Sequence, residues 1–274
     1  MKKIILAFDS VHFAQSAFDF AEKLNEKQPI LLVGLFLPQI SYANVWSYGD
    51  GIGGPLFIPS LEESESEYAE KNIEKFERLC QLNQIDYTVR KDFNGLALQE
   101  IKKESRFADL MLVGSQTFYE NIGIGETSSY LKETLHDVEC STIVLPDEYV
   151  YPTKNILAYD GSPSSVYAIK QFIYLMPELA DNQTVLLHLK SDEKDEILDE
   201  SYIEELAGRH FKNLTVTKLD LDPKKYFATW VSDKKDSILV SGSFSRSAIS
   251  TLFKKSFISD VLKEHKIPLF ISHK

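Results

Sequence analysis

Cysteine is almost absent from this chain, with only Cys80 and Cys140 in 274 residues. The two stand far apart without the close spacing of metal ligands, so a disulfide framework is excluded and both are expected to be buried thiols. Long hydrophobic runs are missing too: none approaches the roughly 20 apolar residues that cross a bilayer. The N-terminal run Ile4–Phe8 is interrupted by Asp9, and no small-residue cleavage site follows as in a secretory signal. Positive charge is short, 30 Lys and Arg against 41 Asp and Glu, giving a formal net charge of −11. That balance argues against general nucleic-acid binding, because phosphate backbones are drawn to clustered cations; only local pairs such as Lys254-Lys255 remain as anion contacts. The expectation is a cytoplasmic protein that binds neither nucleic acid nor membrane.

The motifs of common catalytic centres are also missing. The histidines, His12, His136, His188, His210, His265 and His273, show no HxxxH or HxxEH spacing, so no metal site can be argued. There is no G-x-S-x-G elbow and no Cys with a positioned His, so no catalytic residue is assigned. The acidic clusters at Glu62–Glu67 and Asp192–Glu196 read as solvated helix faces or helix starts, where the dipole favours acids. Paired catalytic carboxylates are the alternative.

A duplication fills the chain. Ile4-Ile5-Leu6-Ala7-Phe8-Asp9-Ser10 is echoed by Asn155-Ile156-Leu157-Ala158-Tyr159-Asp160-Gly161-Ser162. Each is an apolar run too short for a helix, ending on an acid and a small residue before a helical pattern. Strands are expected at 4–8, 30–36, 86–90, 110–113 and 142–145, with helices at 13–25, 61–83, 95–105 and 128–137. The second half repeats the order, with strands at 156–159, 184–189, 215–220, 237–240 and 269–272 and helices at 168–176, 197–210, 224–232 and 258–265. This alternation predicts βαβ crossovers: an α/β fold, each half a five-stranded parallel sheet with helices on both faces. Pro146 and Pro152 bracket a short linker, so the domains are placed at 1–147 and 153–274. The loop Pro38–Ser60, rich in aromatics and glycine, reads as packing onto its own domain or a partner, or as a lid.

Strand, Asp, small turn, helix, and a fourth strand running into Gly-Ser together resemble the universal stress protein family, in its tandem two-domain form. The resemblance implies two Rossmann-like domains of the adenine nucleotide alpha hydrolase-like type. Nucleotide-binding members carry an Asp at the end of the first strand and a G-x2-G-x9-G-[ST] loop after the fourth. Glycines let backbone N–H groups approach phosphate oxygens there, and a helix N-terminus adds favourable partial charge. In the second half Asp160, Gly161 and Ser162 match the strand end, and Gly242-Ser243 matches the fourth-strand turn. At intact spacing, Ser245 replaces the second glycine, Arg246-Ser247 follows as in the family, and Lys255-Ser256 replaces Gly-[ST]. Ser245 is tolerable, whereas Lys255 either blocks the cradle or pairs with a phosphate.

The first half departs further. Asp9 is followed by Ser10 in place of glycine, Gly114-Ser115 keeps only the turn, and Ser128-Ser129 takes the Gly-[ST] position with the spacing one residue too long. Glu120 and Glu126 would repel phosphate there. Asp9 reads as a helix N-cap ahead of a ligand residue, and Asp160 fits either role; Ser128-Ser129 and Ser256 are good caps.

The expectation is a non-catalytic stress-response or regulatory module with degenerate nucleotide sites and unknown protein partners. ATP is the cofactor to test, in the second domain. The alternative is an ATP-binding switch there, with slow hydrolysis at most; a hydrolase or transferase of the wider group lacks a catalytic constellation. Family members commonly dimerise through the fifth strand. In this chain Thr142–Leu145 and Leu269–Ser272 are its equivalents, expected to pair antiparallel in an intramolecular pseudo-dimer, with a homodimer of the whole chain also compatible.

Overall fold

Runs dense in Ile, Leu and Val bury both faces of a strand, and parallel sheets covered on both sides are where such runs belong. The structure, a computed structural model, describes residues 1–9, 12–37, 63–91, 97–114, 138–189, 199–219, 230–231, 234–242 and 267–272. The loop Pro38–Ser60, the acidic cluster Asp192–Glu196 and the expected helices at 128–137 and 258–265 lie outside these residues, as does 224–232 apart from 230–231. Two compact units are present, Met1–Glu139 and Cys140–Lys274.

The first unit holds β1 (Lys2–Asp9), α1 (Gln15–Lys27), β2 (Ile30–Leu37), α2 (Glu63–Leu82), β3 (Asp86–Arg90), α3 (Ala97–Ser105) and β4 (Leu110–Gly114). Its strands lie in the order β3-β2-β1-β4, each parallel to its neighbour. Central β1 is apolar without alternation, and Ile4 to Phe8 are all buried. α1 buries Ala17, Phe18, Phe20, Ala21 and Leu24, the stripe that a period near 3.6 places on one side.

The second unit holds β5 (Ser141–Leu145), β6 (Lys154–Tyr159), α4 (Pro163–Leu175), a 3-10 turn (Pro177–Leu179), β7 (Gln183–Leu189), α5 (Glu200–His210), β8 (Asn213–Leu219), β9 (Ser237–Gly242) and β10 (Leu269–Ser272). The order is β5-β10-β9-β6-β7-β8. From β10 to β8 the pairs are parallel, giving the five-stranded parallel sheet expected for the second repeat. β5 runs antiparallel to β10, with Val144, Ile143 and Thr142 opposite Leu269, Phe270 and Ile271. The antiparallel pairing expected of these two segments is therefore present. It also explains why compactness divides the chain before β5, whereas the sequence repeat divides it after.

Polar residues secure the amino-terminal end of this sheet. Asn155 is fully buried; its Nδ2 donates to the Leu179 carbonyl at 2.7 Å and to Thr184 Oγ1 at 2.9 Å. Asp236 receives Thr153 Oγ1 at 2.9 Å and pairs with Lys154 at 3.0 Å, so its carboxyl is held below the usual range, first by the Lys154 bond. Cys80 is buried as expected, but Cys140 is only half-buried, because it precedes β5 rather than lying within it.

Candidate functional site

In each unit the first strand of the repeat lies between the second and the fourth: β1 between β2 and β4, and β6 between β7 and β9. β1 and β6 are therefore the switch points of their strand orders, and at such points open α/β sheets bind ligands at the carboxyl ends of the strands. Asp9 ends β1 and Gly114 ends neighbouring β4; Asp160 follows β6 and Gly242 ends neighbouring β9.

The strand end in the second unit is shaped by a tight turn. Gly161 has φ 78°, a left-handed conformation that a side chain resists. The turn is closed by the Ser162 N–H, which donates to Asp160 Oδ1 at 3.0 Å. Ser162 then caps α4: its Oγ accepts from the Ser165 N–H at 3.1 Å, and Pro163 occupies the first helical position, where a missing N–H costs nothing. Ser165 Oγ in turn donates to the Ser162 carbonyl at 2.8 Å. Asp160 is thus not the N-cap, because Ser162 holds that position and Asp160 orders the turn before it. α4 also begins five residues ahead of the expected Ala168, since the Ser-Pro start outweighs the polar serines that follow.

Gly242 is packed against this helix start. A Cβ there would lie 2.6 Å from the Ser164 carbonyl carbon and 2.7 Å from the Ser165 nitrogen, so backbone itself fills the space. The structure therefore brings Asp160, Gly161, Ser162 and Gly242 together at one edge, packed against the start of α4. Ser243, Ser245, Arg246, Ser247, Lys255 and Ser256 lie outside the described residues.

At the equivalent edge of the first unit, Asp9 and Gly114 end adjacent strands, and Gly114 is buried. Ser10, Ser115, Ser128 and Ser129 lie outside the described residues. The N-cap of α1 is Ala14, without a side-chain cap, and the helix starts at Gln15. The capping role expected of Asp9 is therefore wrong: a cap must directly precede the first helical turn, and Asp9 ends β1 several residues earlier.

The strand ends differ in kind. Phe8 is opposite Phe36 in the register, and their rings stack at 4.7 Å with 12° between planes. Phe13 lies 4.9 Å from Phe8, and Phe76 meets Phe8 and Phe36 edge-on at 5.8 and 5.9 Å. In the second unit the corresponding register pair is Tyr159 and His188, both buried, with ring centres 6.1 Å apart. His188 is in turn opposite Lys218, which pairs with Glu200 at 3.2 Å. Burial, then the Asp199 and Asp160 carboxylates, pushes the Tyr159 phenol above its ordinary pKa, so it stays protonated. Asp199 itself has φ 53°, uncommon for a residue with a side chain. This polar row went unread in the sequence; aligning Tyr159 on Phe8 and His188 on Phe36 across the repeat is the signal that finds it. Among the described residues no group of three or more His, Cys, Asp or Glu lies ready to hold a metal ion, and no helix is long and apolar enough to cross a membrane.

At the level of sequence, no protein-family model matches this chain and no curated protein matches it. Solved structures do. A universal stress protein from Archaeoglobus fulgidus is similar over 100% of this chain and 96% of its own, with a TM-score of 0.73 at 17% identity. A universal stress protein candidate from Pseudomonas aeruginosa UCBPP-PA14 is similar over 100% and 93%, with a TM-score of 0.55 at 10% identity. A functionally unknown protein from Pseudomonas aeruginosa PAO1 is similar over 100% and 92%, at 0.54 and 10%. The chain has the α/β, Rossmann-like fold seen in universal stress proteins.

Proposed function

We propose that this chain is a non-catalytic stress-response or regulatory protein of the universal stress type, acting through protein partners, with nucleotide binding vestigial or confined to the second unit. The observation that carries this reading is the likeness of fold to the Archaeoglobus fulgidus universal stress protein along the whole chain. The aromatic packing of the first unit supports the restriction, since Phe8, Phe36 and Phe76 fill the strand ends with their own rings. In the second unit the Ser162 hydroxyl is committed to capping, and Ser245 and Lys255 stand where the family pattern has glycine. A cytoplasmic location, a pseudo-dimer of the two repeats and a homodimer of the whole chain belong to the same reading.

The second reading, an ATP-binding switch, is favoured by one feature: at the end of β6, Asp160 and the left-handed Gly161 form a turn that leads directly into the start of α4 beside Gly242. Calorimetric titration of the full chain with ATP and magnesium separates the two. The regulatory reading expects millimolar or weaker affinity, the same in Asp160→Asn, which keeps the acceptor for Ser162 and removes the charge. Micromolar affinity overturns it, and loss of that affinity in Asp160→Asn establishes the switch. Gly242→Arg is a poor control, because its Cβ alone would displace α4 whether or not a ligand binds.

A further inference from the structure

β3 is the edge strand of the first unit. Among the described residues it pairs with β2 alone, and no strand lies along its other side. Such an edge offers unpaired N–H and C=O groups, which proteins guard with proline, bulges or charge. β3 has no proline and keeps unbroken register with β2; its guards are two exposed terminal charges of opposite sign.

The order Asp86-Tyr87-Thr88-Val89-Arg90 is self-complementary when set against itself in reverse. A two-fold axis normal to the sheet keeps every side chain on its own face, so antiparallel copies must centre on a residue. Centring on Thr88 pairs all five positions. Asp86 then lies opposite the partner's Arg90, Tyr87 opposite the partner's Val89, each twice, and Thr88 opposite its own copy. Opposite charges, an aromatic with a β-branched residue, and Thr with Thr are the cross-strand pairs that stabilise a sheet. Parallel copies in register would instead set Asp86 on Asp86 and Arg90 on Arg90.

The side chains are free to make these pairs. Asp86 is exposed, and no ion pair holds it among the described residues. Arg90 bonds Glu104 of α3 through Nε at 3.3 Å, which leaves the terminal nitrogens of its guanidinium for a second carboxylate. Tyr87 is already held in place: its ring meets Phe76 edge-on at 5.9 Å, and its hydroxyl accepts from Gln81 Nε2 at 3.1 Å. Pairing therefore costs it little freedom. β8, the edge strand of the second unit, lacks this symmetry. Against its own copy about Val216 it sets Leu214 opposite Lys218, which is already paired with Glu200 at 3.2 Å.

We propose that two copies of this chain join antiparallel along β3, with Thr88 on the two-fold axis and an Asp86–Arg90 bridge at each end. Because the contact is isologous, the dimer closes and no third copy adds at β3. This surface rests on the whole-chain homodimer proposed above; a dimer formed elsewhere would keep that reading and remove this one.

Light scattering after size exclusion reads the mass of the full chain at tens of micromolar and low salt, where exposed charges are least screened. The unaltered chain is expected at twice its monomer mass. Asp86→Arg and Arg90→Asp each place like charges opposite at both ends and are expected to run as monomers. The double variant, Asp86→Arg with Arg90→Asp, reverses both bridges and is expected to return to the dimer, which loss of folding in the single variants would not explain. A monomeric unaltered chain overturns the surface and the homodimer together. A dimer kept by either single variant overturns the surface alone, and so does a double variant that stays monomeric.

Discussion

At the scale of single residues, position rather than type decides the role. Asp9 and Asp160 stand alike in sequence, yet neither caps the helix after it: Ala14 and Ser162 occupy those positions. The two thiols diverge in the same way. Burial pushes the Cys80 thiol up to about 12, with Glu77 adding to the shift, whereas Cys140 is half-buried at the entry to β5. A thiol reacts as its thiolate, so at pH 8 the folded chain is expected to take up one equivalent of iodoacetamide readily, at Cys140. Cys80 should label only once the protein is unfolded. Peptide mapping checks this, and equal labelling of both cysteines in the native state would contradict it.

At the scale of elements, β2 and α2 approach closely only because Gly34 has no side chain. A Cβ there would meet the Phe76 ring at 2.9 Å and the Phe36 ring at 3.0 Å. Phe76 has no room to retreat, being fully buried and edge-on to Phe18 at 6.3 Å and to Tyr87 at 5.9 Å. Gly34→Ala is therefore expected to lower stability by about 1–3 kcal/mol in urea unfolding. Placed in a Phe76→Leu background it should cost less, since the clashing ring is gone; equal costs in both backgrounds would refute the mechanism. Buried strands were legible from sequence as short apolar runs, and Leu269–Ser272 emerges with the expected bounds; Asp86–Arg90 does too, although its ends are exposed and it has no such run. Helix starts were less legible. α1 carries no capping side chain to mark its first residue, and α4 starts on polar Ser-Pro-Ser-Ser, ahead of its apolar stripe. Of the candidate site, the Asp160–Ser162 turn was visible as a local pattern. The Tyr159–His188 row was not, because it arises from register between strands, as does the backbone contact that fixes Gly242.

At the scale of the whole molecule, the repeat in sequence and the compact units are offset by one strand. β5 ends the first repeat but packs in the second unit, where Ile143 is opposite Phe270 and Phe270 meets Phe172 edge-on at 5.4 Å. Proline at Ile143 would remove a ladder donor and fix the local φ, which a paired strand tolerates poorly. Ile143→Pro is expected to accelerate hydrogen exchange in β10 and β9; unchanged exchange there would show that β5 contributes nothing to the second unit. The hydroxyls of Ser141 and Ser272 close the same pairing at 2.9 Å across 131 residues of chain. During synthesis at roughly 5–20 residues per second, that separation leaves β5 without its β10 partner for between about 7 and 26 s. An unpaired strand edge is a template for another nascent chain. For this protein the interval between translation of β5 and of β10 is therefore a window in which neighbouring polypeptides on one messenger compete with the correct fold.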